Sequence, residues 1–98
     1  MADTIDLFLY LDRAGYIARP IAGDCTTHYW PTPHGQPELL VRTLIWPDGR
    51  VTCGVTLRGR RCCGESDSLH VNGLTPAVVM QRLPEIVARV RGMWAAGV

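Results

Sequence analysis

Cys25-x-x-His28 is spaced like half of a zinc knuckle, and Cys62, Cys63 and His70 could complete a tetrahedral set of soft and imidazole ligands. The pattern is incomplete as a motif. It lacks a Cys-x-x-Cys pair, and adjacent Cys62 and Cys63 would point to opposite faces of an extended chain. The sequence therefore predicts no metal or other cofactor, with Cys25, His28, Cys62 and His70 as the residues that would form a zinc-stabilised domain if one existed. A thiol nucleophile needs a base and a lowered pKa. Cys25 with His28 or His34, and Cys62 or Cys63 beside Arg60 and Arg61, have the right chemistry nearby. No motif supplies the orienting acid or an oxyanion site, so a Cys-dependent enzyme stands only as an alternative. Asp24, Glu65 and Asp67 fall in segments that read as loops, where acids usually cap turns.

The chain contains no lysine, and all ten of its Lys and Arg positions are arginine. Schiff-base chemistry and the Gly-Lys-Ser/Thr phosphate loop are thereby excluded. Gly59, Gly64 and Gly73 are too scattered to cradle a phosphate.

Arginine is instead concentrated in one region. Arg42, Arg50, Arg58, Arg60 and Arg61 lie in a stretch that contains Trp46 and only Asp48 as an opposing charge. Guanidinium groups are planar, form paired hydrogen bonds with carboxylate or phosphate, and stack on aromatic rings. Arg and Trp are also the residue types most often central to protein interfaces. The candidate partner-binding residues are Trp46, Arg42, Arg50, Arg58, Arg60 and Arg61, with Trp30 behind them. The same set could grip phosphates and stack bases, which makes nucleic-acid binding the main alternative.

These residues are positioned by a predicted hairpin. Leu39–Trp46 and Arg50–Leu57 flank Pro47-Asp48-Gly49, a three-residue turn with Gly at the left-handed position. The register pairs Trp46 with Arg50, Ile45 with Val51, Thr43 with Cys53, Val41 with Val55 and Leu39 with Leu57. One face is then almost wholly apolar, and the other is a mixture of Leu40, Arg42, Leu44, Trp46, Arg50, Thr52, Thr56 and Arg58. A slip of one residue would bury Arg42. The mixed face is too apolar to be left bare, so it needs cover from the chain itself, a partner or a second copy.

Residues 4–14 fit either a helix capped near Asp3 or Thr4 and closed by Gly15, or a strand; the helix is preferred, followed by a short strand at Tyr16–Arg19. Ala22–Pro37 reads as a loop broken by Pro31, Pro33 and Pro37. Gly64–Asn72 reads as a loop with a short strand within it. After Thr75 and Pro76, Val79, Leu83, Ile86, Val90 and Met93 recur at helical spacing, with Pro84 expected to kink the helix or split it in two. The order gives one α+β domain over residues 1–98: a small antiparallel sheet against an N-terminal helix and a C-terminal, Pro-kinked helix.

Hydrophobic residues at 47 % and charged residues at 19 % are globular values. Charge is uneven. Residues 1–49 hold three Arg and six acids, a net of −3, and residues 50–98 hold seven Arg and three acids, a net of +4. Met1-Ala2-Asp3 lacks a basic leader, and Leu7 to Leu11 is too short to span a membrane, so a cytoplasmic location without membrane contact is expected. The reading that fits most residues is a small non-catalytic interaction protein, an adaptor or inhibitor of a partner protein or macromolecular complex. Compact domains of this size without a catalytic motif often come from phages or mobile elements and act on host complexes, and a homodimer is a further alternative.

Overall fold

The computed structural model describes residues 2–20, 25–61 and 63–97. Helix α1 (Ala2–Ala14) is followed by strands β1 (Ile17–Pro20), β2 (Cys25–Tyr29), β3 (Glu38–Ile45), β4 (Val51–Arg60) and β5 (Ser66–Leu74), and helix α2 (Pro76–Ala96) closes the chain. The five strands lie in sequence order, each antiparallel to the next. This is the α+β architecture expected.

Burial shows why α1 is a helix. A strand would place Ile5, Leu7, Leu9 and Leu11 on one side. Instead Leu7 and Leu11 are fully buried, while Ile5 is 59 % and Leu9 48 % exposed. That is the i, i+4 stripe of a helix. Gly15 ends it at φ +105°, where the Tyr16 N–H donates to the Leu11 carbonyl and the chain turns into β1.

The β3–β4 register is the predicted one: Leu39 opposite Leu57, Val41 opposite Val55, Thr43 opposite Cys53 and Ile45 opposite Val51. Of these, Leu39, Val41, Cys53, Val55 and Leu57 form the core with Leu7, Leu11, Tyr16, Val79, Leu83 and Val90 from the surrounding elements. Full burial of a Leu or Val side chain is worth roughly 1.5–3 kcal/mol, so this layer holds helices and sheet together.

Two expectations are corrected. The segment read as a loop from Ala22 to Pro37 contains β2, which pairs with β1 on one side and β3 on the other. Gly64–Asn72 is mostly strand, with a register shift opposite Cys53 and Val55. Of the two outcomes expected at Pro84, the split is not found: the last helix runs as one element from Pro76 to Ala96 with Pro84 inside it. Its ring stands on the exposed side beside buried Leu83, where water can replace the lost backbone bond. The α2 N-terminus is as read: the Val78 N–H donates to Thr75 Oγ1 at 3.2 Å, with Pro76 in the first turn. No helix among the described residues is long and apolar enough to cross a membrane.

Candidate interaction surface

Side chains on a strand alternate between faces, and directly paired residues share one. The pairs Ala18–His28–Val41–Val55 therefore lie on the helix-covered side, with the core. The pairs Ile17–Tyr29–Leu40–Thr56–His70 and Arg19–Thr27–Arg42 lie on the other. Neither helix packs on this second face. It carries the mixed set predicted from the hairpin and extends it across β1 and β2.

Five arginines stand on the open face: Arg19, Arg42, Arg50, Arg58 and Arg60. The hairpin end is ordered by Trp46. Its indole N–H donates to Thr52 Oγ1 at 2.9 Å, and the Arg50 guanidinium sits 5.0 Å from the ring centre. Arg19 lies 4.5 Å over the ring of Tyr29 in the same way. Arg58 donates to Glu38 at 3.0 Å, but both side chains are about half exposed, 46 % and 56 %, and such a pair holds little energy. Among the described residues, Arg19, Arg42 and Arg60 have no carboxylate partner. A planar Arg parked on an aromatic ring keeps its outer edge free for a partner's oxygens.

Arg19, Tyr29 and Arg60 also line a cleft of about 700 Å³, with buried Leu40 among its walls and Pro33 and His34 at its side. At the β5 end, Thr56 Oγ1 and Ser68 Oγ hold the two ring nitrogens of His70 at 3.0 and 3.1 Å. The face is thus cationic, preorganised by short side-chain contacts, and edged by exposed Ile17 and Trp46.

One of the predicted partner-binding residues is placed elsewhere. Arg61 turns to the helix-covered side. There it donates to Asp67 at 2.9 Å and to the Trp94 carbonyl, and stacks 3.8 Å over the Trp94 ring. The Arg61 hydrogen bond, followed by the Ser68 N–H, holds the Asp67 carboxyl below its ordinary value of 3.8. Trp30 stays at the surface: it is 39 % exposed and lines the cleft with Arg19, Tyr29 and Arg60, while its ring packs edge-on against buried Tyr16, 5.1 Å between ring centres, and lies against Gly15. Ile17 and Arg19 of the open face were not anticipated, because they depend on the β1–β2 pairing.

The thiol and imidazole candidates are not brought together. Cys25 is paired with Leu44 on the open face, whereas His28, three residues on, points to the opposite side beneath Phe8. Cys62 and Asp24 lie outside the described residues. Among the described residues no group of three or more His, Cys, Asp or Glu side chains is arranged to hold a metal ion. Cys53 is in the core, where burial pushes its thiol up, away from the thiolate a nucleophile needs. Comparison with known protein families, curated proteins and solved structures finds no match.

Proposed function

We propose that this chain is a small interaction protein, an adaptor or inhibitor, that lays the open face of its sheet on an acidic surface of a larger partner protein. The observation that carries this reading is the composition of that face: among the described residues, five arginines against one strand carboxylate, Glu38, with exposed Trp46 and Ile17 beside them. Arginine is weakly hydrated and loses less on burial than lysine, and an aromatic anchor beside it supplies apolar area. Cys25 and Cys53 are free thiols on opposite faces, in keeping with a reducing cytoplasm.

A second reading rests on the same face. Arginines interleaved with Trp46 and Tyr29 would also suit a nucleic-acid strand, with affinity that falls steeply as salt rises.

The test is capture of partners by the tagged chain from its native lysate, with and without nuclease, beside the double variant Trp46→Ala/Arg60→Glu. Both side chains lie outside the core, so the variant should keep the wild-type circular dichroism. The expected result is a stoichiometric protein that survives nuclease and moderate salt, and whose affinity falls roughly a hundredfold or more in the variant. Release by nuclease would transfer the face to nucleic acid. Undiminished binding by the folded variant would remove this surface from the proposal.

A further inference from the structure

The cleft of about 700 Å³ on the open face has a floor and a fixed wall. The floor is β2 and β3, where Tyr29 stands opposite buried Leu40. The wall is the connection between these strands, residues 30–37. Hydrogen bonds hold that connection in shape. The Trp30 N–H donates to the Leu39 carbonyl at 3.0 Å, and Thr32 Oγ1 donates to the Trp30 carbonyl at 3.0 Å. The Gln36 N–H donates to the Pro33 carbonyl at 3.2 Å, which closes a turn with Gly35 at φ +89°. At the far end, Pro37 lies so near Gly59 of β4 that a side chain at Gly59 would come to 3.0 Å from its Cα. The wall is therefore set before any ligand arrives, and the volume is that of a small-molecule site.

Charge and shape select the ligand. Arg19 reaches the cleft from β1 and Arg60 from β4. Glu38 also lines it, but its carboxylate is engaged by Arg58. Arg19 and Arg60 thus face the cleft with no carboxylate on either among the described residues. A phosphate monoester carries about −1.5 to −2 at neutral pH and takes paired hydrogen bonds from guanidinium groups, whereas a carboxylate brings a single charge. Trp30 supplies the other half of the site. It is held edge-on by Tyr16, yet 39 % of it stays exposed where it lines the cleft. A flat ring packed on the indole gains contact area that a bare phosphate cannot.

We infer that this cleft binds a small phosphate monoester carried on a flat ring, of the size of a nucleoside or aryl monophosphate. The phosphoryl oxygens take the guanidinium groups of Arg19 and Arg60, and the ring packs on Trp30. Arg42 stands on the same face but does not line the cleft, so it separates a site from general attraction to a cationic surface. The binding needs no partner protein, and its failure would leave the interaction proposed above untouched.

The test is titration of the purified chain with 5′-AMP and with phenyl phosphate, followed by NMR at the Trp30 indole N–H and the Arg19 and Arg60 Nε–H. The expected result is a saturable shift at all three, with a Kd of about 1 mM or tighter for at least one probe. Tighter 5′-AMP assigns the site to nucleotides, and tighter phenyl phosphate to aryl phosphates. Inorganic phosphate and benzoate each lack half of the ligand and should bind roughly tenfold or more weakly. Arg19→Gln and Arg60→Gln should each weaken binding roughly tenfold or more, and Arg42→Gln by less than about twofold. All three side chains are exposed, so the variants should keep the wild-type amide spectrum elsewhere. No saturation by about 10 mM of either probe overturns the inference. So does equal weakening by Arg42→Gln, which would make the attraction a property of the whole face. Inorganic phosphate that binds as tightly as both probes overturns it too, because the ring would then contribute nothing.

Discussion

Replacing Arg61 with alanine is expected to destabilise the fold by about 2–4 kcal/mol, the sum of a buried cation–π contact and a charged hydrogen bond to a backbone carbonyl. The reason lies at the end of α2. The last carbonyls of a helix lack partners and carry partial negative charge. α2 has no basic residue in its last turn, and Arg61, arriving from the end of β4, supplies that charge. It donates to the Trp94 carbonyl while its plane covers the Trp94 ring, and its side chain is only 12 % exposed. Its Nη2 also lies so near Gly97 that a side chain there would approach to 3.0 Å. The contact therefore ties the C-terminal turn of α2 to the β4–β5 end of the sheet. In Arg61→Ala the amides of Ala95 to Gly97 should exchange faster, and the melting temperature should drop by roughly 10–20 °C for a domain of this size. Arg61→Lys should recover less than half of the loss, because an ammonium keeps the charge but neither the stack nor the planar fork. A loss below about 1 kcal/mol in Arg61→Ala, measured by urea denaturation, would show the tie to be ornamental.

The difference between Arg61 and its neighbour Arg60 shows what the sequence makes legible. Alternation places Thr56, Arg58 and Arg60 on one face and Leu57, Gly59 and Arg61 on the other. A strand ending at Leu57 leaves both arginines beyond it, where alternation has no force, and gives them one role. Carried to the true strand end at Arg60, the same rule separates them. The β3–β4 hairpin was legible because its inner face is nearly all apolar and its turn residues are specific. β2 was hidden because its inward residues are Thr26 and His28, so Cys-Thr-Thr-His-Tyr shows no polar–apolar alternation. With β2 unread, Arg19 and Ile17 had no face to belong to, and the arginine surface was foreseen only on its hairpin half. In α1 the ambiguity between periods of 2 and 3.6 was real. Only packing against α2 and the sheet decides that Leu7 and Leu11 go in while Ile5 and Leu9 stay out.

That hidden histidine is also the site where a substitution should stabilise the protein. His28 is 2 % exposed and lies 4.9 Å from the Phe8 ring, and its Nδ1 has no hydrogen-bond partner among the described residues. A buried polar atom left unpaired costs about 1–3 kcal/mol. Burial holds the imidazole pKa below the ordinary 6.5, and Asp12 on α1, the acid that faces it, offsets this only in part. The sign of the pH effect follows. The unfolded chain binds a proton at His28 before the folded chain does, so the stability held by the neutral ring is complete above 6.5. It is lost as the pH falls from there through the lower folded value. His28→Leu is close in volume, matches the apolar surroundings of Ile5, Phe8 and Leu9, and carries no proton. The variant is expected to be more stable than wild type by about 1 kcal/mol or more at neutral pH. Its stability should also be nearly flat between about pH 5 and 6.5, where the wild type loses stability and carboxylates have scarcely begun to titrate. Urea midpoints of both proteins across that range give both quantities. A less stable His28→Leu would mean that the ring is satisfied and packed better than leucine. An unchanged acid slope would move the sensitivity to another group and leave His28 a bystander.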